Sequence, residues 1–406
     1  MTTTTRDALV AAIAFAPQGE RAGNVTAGRG VLGGKALRVA LVENRFASGA
    51  IGADEAERLI ALFKVAALEH APVVLHLDSA GAKVSEGLKA LGAFRALFRA
   101  GLDFAATGTP IVAVLGKNCY GGSSMLAHLA SHRLFSPHTQ LAMTGPAILA
   151  AQAGMNALDE AFRAMAEAAM SPAARAKASD GNTVWDGQDM APWLASAIAA
   201  GGLDGVARHL ALGGRLKQKA PEPEKVQRRD LEKIYPEGYE AHEDHGLLQG
   251  VGRRDGHAEA LLGLVNRKPV GAARAWRFAD LVWRHAHKPP AHLEVFLDCA
   301  THAPRLEDEK VVLSEYIVDM ASALDHLARK GTQVGLTVVG QAGGGVYVAL
   351  AAPARRVRSL YEADIQVLPG AAVAAILGGT NRESVPTFED YRAAGVAEEE
   401  LKLGIV

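Results

Sequence analysis

Two glycine turns stand where the backbone itself can do chemistry. The stretch from Ala71 to Met143 reads APVVLHLDSAGAKVSEG, then a helical run, then TPIVAVLGKNCYGGSSMLAHLASHRLFSPHTQLAM. Its apolar runs Val73–Leu77 and Ile111–Leu115 read as buried strands. Each runs into a turn, Asp78-Ser79-Ala80-Gly81-Ala82 and Cys119-Tyr120-Gly121-Gly122-Ser123. A glycine turn that opens a helix leaves backbone N–H groups unpaired and aimed outward. Two such turns on neighbouring strands can aim two donors at one point, the layout of an oxyanion hole. Taken singly, each turn also reads as tight strand-to-helix packing. Recurrence shifts the balance toward function: Leu293–Leu297 ends at Asp298-Cys299-Ala300-Thr301-His302, and Val334–Val339 ends at Gly340-Gln341-Ala342-Gly343-Gly344-Gly345, ahead of a helix Val346–Ala352.

The elements that must position these turns follow a βαβ rhythm. A strand Ala36–Val42, a helix Ala53–His70, the strand Val73–Leu77, a helix Ser85–Leu102, the strand Ile111–Leu115 and a helix through Ala130 alternate. Short strands are expected around Arg133–Ser136 and Gln140–Thr144, and an Ala/Met-rich helical stretch from Gly145 to Gly202. Alternation of this kind predicts a mostly parallel sheet with crossover helices. The second half repeats the plan, with a helix Leu313–Arg329 and a strand Val357–Leu360, an internal duplication of about 200 residues. The expected domains are a loosely attached lead-in 1–30, an N-terminal domain 31–212, a Pro-containing charged linker 213–245 and a C-terminal domain 246–406. Gly28–Gly33 fits GxGxxG but precedes a strand, so a turn is the better reading than a dinucleotide site. His242-Glu243-Asp244-His245, with His285 and His287, reads as solvated loop and not as a metal site.

With 406 residues, 49% hydrophobic and 21% charged, the chain is globular. Forty-three basic residues against forty-four acidic ones give no bulk attraction to nucleic acid or membrane. No apolar run reaches about 18 residues, and a cytoplasmic protein is expected. Cys119 and Cys299 lie in different halves and encode neither a disulfide framework nor a zinc ribbon. No G-x-S-x-G elbow occurs, which weighs against a serine hydrolase.

LDSAGAKVSEG resembles the SGGARxxEG turn of carboxyltransferase subunits. GKNCYGGSSMLA with LAMTGPAIL resembles the β subunit of biotin-independent malonate decarboxylase, which carries a GCFGG-type turn before a GLSGPEVIE-type segment. VFLDCATHAPRLEDE followed by VVGQAGGGVYVALAAPARRVRSLYEADIQVLPG is similar to that enzyme's γ subunit. The resemblance covers roughly residues 36–150 and 290–378. It implies a β–γ fusion on a duplicated α/β crotonase-like fold, the ββα superhelix of carboxyltransferases. Three departures stand out: Ala80-Gly81-Ala82-Lys83 in place of GGAR, Thr144-Gly145-Pro146-Ala147-Ile148 in place of S-G-P-E-V, and no glycine in Asp298-Cys299-Ala300-Thr301. A lysine ammonium is a point charge where the family's guanidinium is a planar fork.

The resemblance implies loss or transfer of a carboxyl group on a malonyl-type thioester, through an enolate. Two preorganised N–H donors at the enolate oxygen lower that barrier. Gly81 or Ala82 with Gly121 or Gly122 would form one hole for the thioester. Thr301 with Gly343 or Gly344 would form a second, facing the carboxylate or its departing carbon dioxide. His302, Tyr120 and Glu86 lie beside the turns as candidate acids or orienting groups, though each taken singly reads better as a structural or rim residue. Lys83 is a candidate for a substrate carboxylate or phosphate and equally for a surface salt bridge, and Thr144 for substrate contact. Cys119 reads as a small packing residue.

The carrier implied is coenzyme A or a phosphopantetheine arm, with no cofactor bound covalently in the chain. The implied partners are an acyl carrier protein, acyl-transferase subunits and further copies of the chain. Three alternatives stay open: a carboxyltransferase component served by biotin on another subunit, a crotonase-type hydratase or isomerase, and a silent scaffold that binds an acyl carrier. Duplication of the core argues against the hydratase.

Overall fold

The structure, a computed structural model, describes residues 3–152, 160–179, 181–216, 223–377 and 386–402. The chain forms two compact units. The first comprises Met1–Glu86, Ala96–Asp204 and Pro304–Glu315; the second comprises Gly87–Arg95, Gly205–Ala303 and Tyr316–Val406.

In the first unit the strands are β1 (Ala16–Pro17), β2 (Val25–Leu32), β3 (Lys35–Val42), β4 (Val73–Ser79), β5 (Ile111–Tyr120), β6 (His132–Phe135), β7 (Gln140–Ala142) and β8 (Asn182–Val184). They lie in the order β1-β2-β3-β4-β5-β6-β8, with β7 on β5. β2 and β3 form an antiparallel hairpin; from β3 onward the pairing is parallel. Val73–Leu77 is buried at every residue, as a parallel strand covered on both faces must be. The GxGxxG match falls in β2 and its hairpin turn and opens no helix.

Residues 3–30 correct the expectation of a loose lead-in. Thr5–Ala12 is a helix whose Leu9, with Ile13 just beyond it, is fully buried against Leu37, Val39, Leu41, Val112 and Val114. The Thr5 hydroxyl donates to the Leu115 carbonyl at 3.0 Å. Two apolar residues four apart are enough to seat one helical turn, and composition hides so short a pattern.

In the second unit the strands are β9 (Glu224–Lys225), β10 (Tyr239–Asp244), β11 (Leu247–Arg254), β12 (His257–Leu264), β13 (His292–Cys299), β14 (Gln333–Gly343), β15 (Arg356–Leu360), β16 (Asp364–Gln366) and β17 (Glu399–Leu401). Their order is β17-β15-β14-β13-β12-β11-β10-β9, with β16 on β14. β11 to β17 therefore repeat β2 to β8 strand for strand: an antiparallel hairpin, then parallel pairing of each strand with the counterpart neighbour.

The described part of the expected linker is folded. Residues 229–234 are helical, Leu231, Ile234, Tyr235 and Ala241 join one apolar cluster with Leu248 and Phe296, and β10 pairs along β11. Residues 217–222, with Pro221, lie outside the described residues. His242, Glu243 and Asp244 sit in β10, not in a loop, and buried Asp244 pairs with Arg277 and with His245 in the hairpin turn. His285 likewise ends the helix Ala272–His285. Asn182–Val184 is a strand inside the stretch expected to be helical.

Candidate functional site

A shared irregularity in the sheet builds each pair of turns. β4 and β5 pair in register as far as Leu77 and Leu115, then slip and resume at Ser79 and Cys119. The slip takes the Asn118 N–H off the ladder, and the Asp78 carboxylate accepts it at 3.0 Å. β13 and β14 do the same: Leu297 faces Val338, the next pair is Cys299 with Ala342, and Asp298 accepts the Gln341 N–H at 2.9 Å. The two turn aspartates thus satisfy backbone freed by the bulge.

Hydrogen bonding then divides the predicted donors of the first unit. The Gly81 N–H donates to Ser79 Oγ at 3.1 Å, and the Gly121 N–H donates to the Ala142 carbonyl at 3.2 Å. The Ala82 and Gly122 N–H groups make no hydrogen bond within the described residues. The turn itself is held to Ile51, whose N–H donates to the Gly81 carbonyl at 2.8 Å and whose carbonyl accepts the Lys83 N–H at 2.9 Å.

Gly81 has φ +97°, and a Cβ there would stand 2.7 Å from the Tyr120 carbonyl oxygen and 3.1 Å from the Gly122 nitrogen. Only glycine lets the two turns touch. Ser123 Oγ ties them further, donating toward the carbonyls of Ser79 at 2.9 Å and Tyr120 at 2.7 Å. Gly121 caps the helix Gly122–Leu129 at φ +53°, ψ −127°, so the helix begins at once and its first N–H is left without an intrahelical partner.

In the second unit the same accounting shifts the expected residues by one. The Val270 N–H donates to the Thr301 carbonyl at 3.2 Å, and the Ala303 N–H donates to the Val270 carbonyl at 2.9 Å, the contacts that Ile51 makes in the first unit. Gly344, with φ +54°, donates its N–H to the Val367 carbonyl at 3.2 Å, as Gly121 does to Ala142. Thr301 and Gly344 are thus the counterparts of Gly81 and Gly121, and His302 and Gly345 those of Ala82 and Gly122. Gly343 is extended and lies one step earlier. Repeated glycines give no frame for choosing among Gly343, Gly344 and Gly345; the sheet register supplies it.

The side chains beside the turns are mostly structural. Burial pushes the His302 imidazole down to about 4, so at neutral pH it holds no imidazolium proton to give. Lys83 Nζ lies 3.1 Å from Glu86 and 3.6 Å from Glu55. Glu86 and Glu55 accept the Ala53 and Gly52 N–H groups that open the helix Ala53–Glu69. The Glu86 hydrogen bond and the Glu55 charge hold the Lys83 ammonium above its ordinary value against burial. That trio is a helix-capping cluster with its cation in use. Tyr120 donates its hydroxyl to Gln140, and burial raises its phenol further above the ordinary range. Thr144 is buried. Burial pushes the Cys119 thiol up to about 12, in keeping with a packing role.

Sequence reading passed over Ser79, Ser123, Arg175 and Glu309. The two serines stand in the quoted turns, but their bonding depends on the bulge. Glu309 lies 165 residues along the chain from the Thr144 N–H that it accepts.

Residues 8–170 match the carboxyl transferase domain family. The methylmalonyl-CoA carboxyltransferase 12S subunit of Propionibacterium freudenreichii subsp. shermanii is 25% identical over 133 residues, 33% of this chain and 25% of that protein. The acetyl-coenzyme A carboxylase carboxyl transferase subunit beta 1 of Roseiflexus castenholzii (strain DSM 13941 / HLO8) is 37% identical over 95 residues, 23% of this chain and 32% of that protein. Each match spans a third or less of these relatives' length. Among solved structures, a Pseudomonas malonate decarboxylase hetero-tetramer in complex with malonate aligns with 54% of this chain and 92% of its own, at 19% identity and a TM-score of 0.47. No helix among the described residues is long and apolar enough to cross a membrane. Residues 8–170 thus resemble a carboxyl transferase domain, and the chain is an α/β protein whose two mixed sheets repeat one strand plan.

Proposed function

We propose that this chain removes or transfers the carboxyl group of a malonyl-type thioester, with the Ala82 and Gly122 N–H groups stabilising the enolate oxygen. The supporting observation is that, among the described residues, these two backbone donors have no acceptor, on two turns that Gly81 holds in contact. In the decarboxylation, the bond between the methylene and carboxylate carbons breaks. Its electron pair moves into the thioester, whose oxygen gains negative charge, and carbon dioxide leaves. Protonation of the methylene carbon completes an acetyl thioester. Rigid, uncharged donors act where that charge develops and cost no reorganisation when it does. The second unit repeats this backbone arrangement at Gly344 and Gly345.

A second reading is supported by the relatives, whose names are those of carboxyltransferase components. Here the same enolate accepts a carboxyl group from carboxybiotin on another subunit, or is the species left when the malonyl-type thioester gives its carboxyl group to biotin. In both readings the thioester arrives on coenzyme A or on an acyl carrier protein, and the chain works with further subunits, including copies of itself.

Mass spectrometry of malonyl-CoA and malonyl-carrier thioesters incubated with the full chain separates the readings. Acetyl thioester formed without biotin supports decarboxylation. Turnover that requires biotin supports carboxyl transfer. No turnover in either condition contradicts both and favours a silent carrier-binding scaffold.

A further inference from the structure

The helix Leu306–Lys310 stands late in the sequence yet belongs to the first compact unit. Its Glu309 is fully buried, and the carboxylate accepts the N–H groups of Met143 at 3.2 Å and Thr144 at 2.7 Å. Arg175, fully buried on the helix Pro172–Ala178, stands 3.6 Å from that carboxylate. Its Nε donates to the Leu141 carbonyl at 2.7 Å, and its Nη1 donates to the carbonyl of Glu309 itself. Together the two side chains grip the backbone on both sides of Ala142. The Ala142 carbonyl is the acceptor that fixes Gly121, whose neighbour Gly122 presents the free donor.

Burying two charges is costly, and well-packed apolar residues often staple a fold at no loss. Burial pushes the Glu309 carboxyl up and the Arg175 guanidinium down, and their mutual attraction pulls each back. An apolar pair would leave Leu141, Met143 and Thr144 with unpaired polar groups. The second unit performs the corresponding task with one neutral side chain. The Tyr391 hydroxyl accepts the Ile365 N–H and donates to the Ala363 carbonyl, each at 3.1 Å. β16, which holds Ile365, is the counterpart of β7. The fold alone therefore does not demand an ion pair at this point.

We propose that Arg175 and Glu309 are a positioning pair: they clamp Leu141–Thr144 so that the Gly121 turn aims the Gly122 N–H, and neither touches the substrate. Its bearing on rate rests on the function proposed above; its bearing on backbone order does not.

The test uses full-length Glu309→Gln and Arg175→Lys, with hydrogen exchange read at residues 119–122 and 141–144 and with kcat and KM for malonyl-CoA. In Glu309→Gln, exchange at Met143 and Thr144 is expected to speed about tenfold or more, with a smaller increase at Gly121. A slight displacement of the donor is expected to lower kcat about a hundredfold while KM moves by less than about threefold. Arg175→Lys, which keeps the charge and loses the fork, should give the same pattern more weakly. Unchanged exchange at 119–122 and 141–144 overturns the proposal, and so does a loss spread evenly over the whole unit. If wild-type protein turns over no malonyl thioester, the functional reading fails and the exchange result alone decides the clamp. Should the single variants not fold, the apolar double variant Arg175→Met/Glu309→Leu replaces them. It is expected to fold and still lose protection at 141–144, and retained protection there overturns the proposal.

Discussion

At the scale of single residues, the donors are backbone atoms, and the side chains around them hold geometry. Cys119 stands next to the glycine pair, where a nucleophile would be conspicuous, yet burial keeps its thiol protonated up to about pH 12. Cys119 and Cys299 in the native protein should therefore resist iodoacetamide at pH 8 and react only on unfolding. Rapid alkylation of native Cys119 would contradict this. His302 gives a prediction with a definite sign. Its folded value, about 4, lies below the unfolded value near 6.5. Above pH 6.5 it is neutral in both states; between 6.5 and 4 the unfolded chain binds the extra proton, so stability falls on acidification. The loss from this residue should approach about 3 kcal/mol by pH 4, measured as the difference in denaturant midpoints between wild type and His302→Asn across that range. Identical pH dependence in the two proteins would contradict the buried neutral imidazole. The types and order of the turn residues were readable in sequence. Which N–H is free was not, because that depends on Ser79 Oγ and on the Ala142 carbonyl, contacts set by a two-strand slip.

At the scale of elements, the long apolar strands and the helices between them were legible because each is periodic and bounded by glycine. Several pieces escaped: the short helix Thr5–Ala12, the strand Asn182–Val184 and the helix Arg229–Ile234, and also the longer strands Val25–Leu32, Leu247–Arg254 and His257–Leu264 and the helix Ala272–His285. The three short pieces contribute at most two buried side chains each, too few to set a period. Leu9→Ala should nonetheless cost about 2–5 kcal/mol, as a fully buried leucine does, and urea denaturation would check it; a change under about 0.5 kcal/mol would return residues 3–12 to a loose lead-in. The helix Gly205–Arg215 is docked by its own device. His209, stacked on Trp276, lies 2.7 Å from Asp319 and 3.5 Å from Asp280, while Arg284 pairs with Asp280 from the solvent side. Burial lowers its affinity for the proton, but the bonds and charges of Asp319 and Asp280 outweigh this and raise it. A raised folded value means the clamp is fully stabilising below about pH 6.5 and weakens as pH climbs through the folded value. Hydrogen exchange along residues 205–215 should accelerate over that rise in wild type, and His209→Gln should remove the pH dependence.

At the scale of the whole molecule, the duplication was visible as a repeated order of motifs, and the sheets carry it out strand for strand. What a linear reading cannot see is that the first unit is not contiguous: Pro304–Glu315 folds with it and supplies Glu309. A fragment 1–212 lacks that carboxylate and leaves Arg175 and two buried amides unpaired, and each such group costs about 1–3 kcal/mol or more. The fragment should therefore show no cooperative thermal transition by circular dichroism, and addition of a peptide spanning 304–315 should restore helical signal; a fragment that melts cooperatively alone would contradict this account. The central claim is that two backbone donors, aligned by Gly81, stabilise an enolate oxygen. The most direct measurement is the rate of carbon dioxide release from malonyl-CoA by wild type and by Gly81→Ala, with and without biotin and with the melting temperature followed in parallel. A methyl group 2.7 Å from the Tyr120 carbonyl oxygen, at φ +97°, must part the two turns. The account predicts a fall of about 10²–10³ in kcat in a variant that still melts cooperatively. A cooperatively folded variant that keeps the wild-type rate would contradict it.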